Sequence, residues 1–220
     1  MIKIHIADSF KNKLDNIAIG SIQAKVRVKE SVDELHQLLD EACNDFSKKY
    51  TIQDISKLPP IAHSRKAYKA LGKDPARYRL SSEALLRRIV KEKGIYKINN
   101  IVDINNLVSI TSFYSICAFD IFKLQPPVQF TIGTKEDEYY GIGRGLLNIE
   151  NLPVFEDREG KFGSPTSDSE RVKITAETEN LSMNIISFSG KDELAIYLNQ
   201  LQHYLVKYAN AENIEIEVFY

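Results

Sequence analysis

The chain opens with alternation. Ile2, Ile4 and Ile6 are separated by Lys3 and His5, which predicts a short strand over 2–6. Ala24, Val26 and Val28 alternate with Lys25, Arg27 and Lys29, the period-two mark of a half-buried strand over 22–30. The period then changes. Val32, Leu35, Leu38, Leu39, Ala42, Cys43 and Phe46 recur at helical spacing, so an amphipathic helix follows, with Cys43 on its buried stripe. Ser31 and Glu34 have the spacing of a capping box at its start. Leu58-Pro59-Pro60 reads as a stop to regular structure.

Two shorter amphipathic helices come next. Ser64 is placed to cap the first, which buries Ala67, Tyr68 and Leu71 and ends at Gly72. Ser81 is placed to cap the second, which buries Leu85, Leu86, Ile89 and Val90. Residues 98–111 read as a loop entering another helix. After Leu124 the alternation returns at Val128, Phe130 and Ile132, then within 138–142, 146–156 and 181–188. Leu194, Tyr197, Leu198, Leu201, Tyr204, Leu205 and Tyr208 predict a long helix, and Ile214, Ile216 and Val218 a closing strand. Helices cluster early and strands late. That order predicts an α+β fold rather than regular βαβ alternation. A single domain over 1–220 is expected, with N-terminal strands and a helix in 1–60.

Composition changes this picture only through the placement of charge. The chain is nearly neutral, but residues 63–93 carry ten of its 29 basic residues and three of its 30 acidic ones. That segment is net positive by seven and the remainder net negative by eight. Helical geometry sends Arg65, Lys66, Lys69, Arg87, Arg88 and Lys91 outward, opposite the apolar stripes, with Arg77 and Arg79 between the helices. One continuous basic surface is the expectation, suited to phosphates; the plainer alternative is a solvated face balanced by acidic neighbours. Tyr68 and Tyr78 can stack on unpaired bases or simply pack their rings.

Recognisable catalysts are scarce. Four histidines and two cysteines lack metal-ligand spacing, so no metal or cofactor is expected. No apolar run is long enough for a membrane helix, no signal peptide precedes the first strand, and the cysteines suggest no disulfide. A cytoplasmic protein with no membrane partner is the expectation. Gly141-Ile-Gly-Arg-Gly145 resembles half a phosphate loop, but a tight turn suits it better. Ser164, Thr166, Ser167, Asp168, Ser169 and Arg171 form the densest cluster of functional groups. Such groups can position water or an anion, or can serve a local turn.

Two stretches carry a more specific signal. RKAYKALGKDPARYRLSSEALLRRI and NNIVDINNLVSITSFYSICAFDIFKL resemble the B3/B4 domain of the phenylalanyl-tRNA synthetase β subunit, especially its free-standing versions. The likeness runs more loosely through GSPTSDSERVKIT and LSMNIISFSG, and residues 61–220 are taken as the matching region. The resemblance implies a β-rich barrel- or sandwich-like core with flanking helices. It implies tRNA or aminoacyl-tRNA as partner. It also implies an editing pocket that hydrolyses a mischarged aminoacyl ester, with no capacity to aminoacylate. The family motif V-D-x-T-N-Y-V aligns with residues 102–108, so its Thr becomes Asn105 and its Asn is Asn106. The motif H-A-F-D aligns with Cys117-Ala118-Phe119-Asp120, putting Cys117 where the family has a pocket histidine. Asn184 stands where a glutamate recognises the tyrosine hydroxyl. These departures imply a pocket of different selectivity. The candidate catalytic residues are Asn106, Ser167 and Asp168, and the candidate substrate-binding residues Asn105, Cys117, Arg171 and Asn184. Two alternatives are a non-catalytic RNA-binding or interaction module, and a binder or hydrolase of free amino-acid derivatives.

Overall fold

The computed structural model describes residues 1–220. Its centre is a four-stranded antiparallel sheet, in the order β11 (Glu212–Phe219), β2 (Ala18–Lys25), β10 (Asn180–Ser187), β3 (Ser115–Asp120). Alternation gives this sheet two different faces. Ala18, Ile22 and Ala24 of β2 share one face with Leu181, Met183 and Ile185 of β10. That face packs on α4 (Asn100–Ser112) and α5 (Leu194–Ala209), and α1 (Asp33–Lys49) packs in turn against α4. Gly20 lies on the same face. A Cβ there would sit 3.0 Å from Leu198 Cδ1, so glycine lets α5 approach the strand.

The opposite face, with Ile19, Ile186, Cys117 and Phe119, meets a second sheet. This sheet runs β1 (Ile4–Ile6), β4 (Val128–Ile132), β7 (Pro153–Asp157), β8 (Gly160–Ser164), β9 (Ser167–Asp168). The β1–β4 pair is parallel and the others are antiparallel. Phe119 crosses the gap edge-on to Phe155 and Phe162, with centroids 5.2 and 4.9 Å away. The result is three layers: outer sheet, central sheet and helices. The sheets do not close on each other, so the expected barrel is absent and the sandwich-like half of that expectation describes the core. β5 (Glu138–Gly141) and β6 (Gly145–Asn148) form a separate hairpin.

Several local expectations are corrected. β2 begins at Ala18 rather than near residue 22, because Ala18 and Ile19 are fully buried between layers. Pro59 and Pro60 start α2 (Pro59–Ala70) instead of stopping structure: proline suits the first helical turn, where its missing N–H costs nothing. Ser64 is therefore inside α2, its hydroxyl donating to the Pro60 carbonyl at 2.7 Å. Ser31 does not cap α1 but donates to Asp103 at 2.6 Å. Ser81 is the first residue of α3 (Ser81–Val90) and provides no side-chain cap. Asn99 caps α4 through the Val102 N–H.

Candidate functional site

A cavity of about 340 Å³ opens where three elements meet. α3 contributes Ser81, Ala84, Leu85 and Arg88; α4 contributes Asn105 and Asn106; the stretch from β8 to β9 contributes Ser164, Thr166, Ser167 and Asp168. Ile116 of β3 lies behind, and Ile142 and Arg144 come from the β5–β6 turn. Four of the residues singled out from sequence, Asn105, Asn106, Ser167 and Asp168, thus share one cavity although they are dispersed along the chain.

Each wall is braced. Asn105 sits mid-helix, donating to the Ile116 carbonyl at 3.2 Å and accepting from Ser109 at 3.2 Å. It ties α4 to β3. Asn106, one residue on, is half-buried on the cavity wall and has no hydrogen-bond partner inside the protein, which leaves its amide for a ligand. The serine-rich loop is held by tyrosines. Tyr139 donates to the Ser167 carbonyl at 2.7 Å and its hydroxyl oxygen lies 3.0 Å from Ser164 Oγ, and the fully buried Tyr68 meets Thr166 Oγ1 at 2.9 Å. Tyr68 is therefore a packing residue. Tyr78 also packs, with Lys73 Nζ 3.8 Å from its ring centroid.

Asp168 is the electrostatic feature of the site. The residue as a whole is half-buried, yet Oδ1 is buried without a partner, while Oδ2 accepts the Ala118 N–H at 3.0 Å. Burial raises its pKa from the ordinary carboxylate range to about 7; the Ala118 N–H and the nearby Cys117 and Ser164 dipoles oppose the rise without cancelling it. No cation pairs with it. Gly163 leaves room beside it, since a Cβ there would lie 3.0 Å from Oδ1 and 2.7 Å from the Phe119 ring.

Other residues named from sequence lie elsewhere. Cys117 is buried behind the loop, its thiol 3.4 Å from the Ser164 carbonyl; burial pushes its pKa well up, which makes it a poor nucleophile. Arg171 is turned away from the cavity, donating to both oxygens of the buried Asp157 at 2.8 and 3.0 Å and to Glu159 at 3.2 Å. Asn184 is fully buried on the inter-sheet face, where its amide donates to Ser182.

The basic segment divides in two. Arg65 and Arg87 both pair with Glu83, each at 2.9 Å, and the Glu83 side chain is completely buried. These two arginines are part of the α2–α3 junction and not of a free surface, so the expected continuous patch is interrupted. Lys66, Lys69, Arg77, Arg79 and Lys91 are exposed and have no acidic partner. Arg88 reaches the cavity. Arg144 is not singled out by the sequence, because GIGRG reads as a turn. It is a turn, with Gly143 at φ +64° and Gly145 at φ +71°. Its position over the cavity depends on the Ile142 N–H bonding the Asp168 carbonyl at 3.0 Å, which no local pattern announces.

No group of His, Cys, Asp and Glu is arranged to hold a metal ion, and no helix is long and apolar enough to cross a membrane. No curated protein matches the chain. Among solved structures, an N-terminal fragment of the phenylalanyl-tRNA synthetase β-subunit from Pyrococcus horikoshii aligns with 97% of this chain at 15% identity and a TM-score of 0.49. The alignment covers 52% of that fragment, so the chain spans about half its length. Residues 63–206 match the B3/4 domain, a stretch that includes every wall of the cavity. The chain belongs to the B3/4 domain family.

Proposed function

We propose that this chain is a tRNA-binding B3/4 protein that hydrolyses a mischarged aminoacyl ester in its cavity. The observation that carries this reading is the convergence of Asn106, Ser167 and Asp168 on one cavity beside the basic helix α3. In such a reaction water attacks the ester carbonyl, the carbonyl oxygen gains charge, and the ribose hydroxyl leaves with a proton. The Asn106 amide has a free N–H for the developing oxyanion, the interaction that most often dominates acyl-transfer catalysis. Asp168, whose pKa burial raises to about 7, would take the proton of the attacking water and return it to the leaving hydroxyl once its Oδ2 exchanges the Ala118 N–H for that water. The Ser167 hydroxyl provides a further polar group to position that water. The exposed Lys66, Lys69, Arg77, Arg79 and Lys91 would engage the phosphate backbone. A cytoplasmic setting belongs to the same proposal.

Selectivity for tyrosine is not part of it. The position expected to recognise a phenol hydroxyl is Asn184, fully buried between the sheets. The cavity lining instead mixes small hydroxyls, amides and four apolar side chains from Ala84, Leu85, Ile116 and Ile142. Incubating the protein with a panel of mischarged tRNAs tests the reading: at least one ester should be cleaved faster, and Asn106→Ala should slow that cleavage by about a hundredfold. Absence of acceleration across the panel removes the hydrolase. Salt-sensitive tRNA binding without hydrolysis would then leave a non-catalytic RNA-binding module, a reading favoured by the Asp168 Oδ2 already being engaged by Ala118.

A further inference from the structure

We infer that Arg88 and Arg144 form an anion clamp at the cavity that grips the 5′-phosphate of a nucleotide. The inference deepens the tRNA reading by naming what the cavity mouth recognises: the phosphate of the terminal nucleotide, next to the ester. It starts from a contrast among the arginines. Arg65 and Arg87 are both paired with the carboxylate of Glu83, and Arg171 is paired with Asp157 and Glu159. Arg88 and Arg144 have no carboxylate partner, yet both line the same cavity from different walls. Arg88 is held in place by neutral groups alone. Its Nε donates to the Gly94 carbonyl and one terminal nitrogen to the Lys93 carbonyl, each at 3.2 Å, while the guanidinium lies 4.5 Å from the Tyr96 ring centroid. These contacts orient it without spending its charge. Arg144 projects from a hairpin tip that is itself anchored, through Tyr139 and the Gly143 N–H bonded to Glu170 at 3.2 Å.

The remaining chemistry favours phosphate over carboxylate. Two guanidinium forks exceed the two oxygens of a carboxylate, which one fork satisfies, whereas a phosphate has enough oxygens for both. Tyr96 is 68% exposed beside Arg88 and leaves aromatic surface on which a base can stack. Asp168, the carboxylate of the cavity, directs Oδ2 to the Ala118 N–H and buries Oδ1, so it does not quench the arginines.

The test is an NMR titration that follows the side-chain amide of Asn106. Adenosine 5′-monophosphate, adenosine and N-acetylalanine are added to the wild type and to Arg144→Ala, Arg88→Gln and Arg158→Ala. Arg88→Gln removes the charge while keeping a donor for the Lys93 and Gly94 carbonyls. Arg158 is exposed and distant from the cavity, and controls for loss of one surface charge. The monophosphate should bind at least tenfold more tightly than adenosine or N-acetylalanine. Arg144→Ala and Arg88→Gln should each weaken it about tenfold, and Arg158→Ala should not. Equal binding of adenosine and its monophosphate overturns the clamp, as does tighter binding of N-acetylalanine, or an Arg144→Ala protein that binds like wild type. The two readings fail separately. Monophosphate binding without ester hydrolysis removes the editing reaction and leaves the clamp; hydrolysis with no phosphate preference removes the clamp alone.

Discussion

Glu83 and Asp168 are both carboxylates taken out of water, and they are treated in opposite ways. Glu83, at the α2–α3 junction, is gripped by Arg65 and Arg87, both at 2.9 Å, and is fully buried. Asp168, on the cavity wall, has only neutral donors and one oxygen with no partner. A buried charge that is paired serves as structure; one left unpaired is a store of electrostatic free energy held at the cavity. The same division runs through the arginines around the cavity, since Arg65 and Arg87 complete a buried pair and are removed from recognition, whereas Arg88 and Arg144 have no acid and line the cavity.

The comparison can be broken at either carboxylate. Glu83→Ala leaves two partly buried guanidiniums without a counter-charge and should destabilise the fold by about 3 kcal/mol, measured by urea unfolding. A loss within experimental error would mean that Arg65 and Arg87 are solvated and that the pairing is incidental. Asp168→Asn should have the opposite sign. The folded-state pKa of Asp168, about 7, lies above the ordinary carboxylate value, so the folded protein holds that proton longer than the unfolded chain. Its contribution to stability is fully present below about pH 4, is lost as pH rises to about 7, and changes little above that. The substitution should therefore raise stability at pH 8 by on the order of 2 kcal/mol and leave it almost unchanged at pH 4. It should also abolish any rise in ester cleavage between pH 6 and about 8 that depends on ionised Asp168. A pH-independent stability difference would show that the carboxylate is solvated after all.

The smallest stability effect is expected on the exposed half of the basic segment. Lys66→Ala with Lys69→Ala should shift stability by no more than about 0.5 kcal/mol, because neither side chain is buried or paired. The logarithmic salt dependence of tRNA affinity should nevertheless become shallower by about two, one for each lysine withdrawn from a phosphate. An unchanged slope would move the RNA surface away from α2. The same pair of substitutions should not alter monophosphate binding at Arg88 and Arg144, which separates engagement of the nucleic-acid backbone from recognition in the cavity.

Periodicity is enough to locate α1, α5, β4 and β11, because a helix or strand with one buried face repeats that face in its sequence. It misleads where a residue type has two uses. Pro59-Pro60 can end a structure or begin a helix, and the choice depends on what α2 packs against. Ser31, Ser64 and Ser81 resemble caps, but Ser31 binds Asp103 and Ser64 binds its own helix. Leu85 has the spacing of a core residue and instead lines the cavity. The cavity residues Asn105, Asn106, Ser167 and Asp168 are legible from the family motif and from a local density of hydroxyls. Arg171 and Asn184 stand out on similar grounds and face elsewhere, because proximity in a motif does not set the side of a strand or the partner of a charge.

The sequence by itself determined the alternating and helical segments, the family, and the concentration of positive charge in residues 63–93. These are properties of neighbouring residues, readable at a spacing of two to four. Only the tertiary structure decided which of those charges are free. Glu83 pairs with an arginine eighteen residues before it as well as one four residues after it. Arg144 reaches the cavity because a hairpin folds back onto Asp168. Asp168 acquires its raised pKa from the two sheets and the loop that exclude water around it. Burial and charge pairing are set by groups distant in sequence, and desolvation has no local signature along the chain.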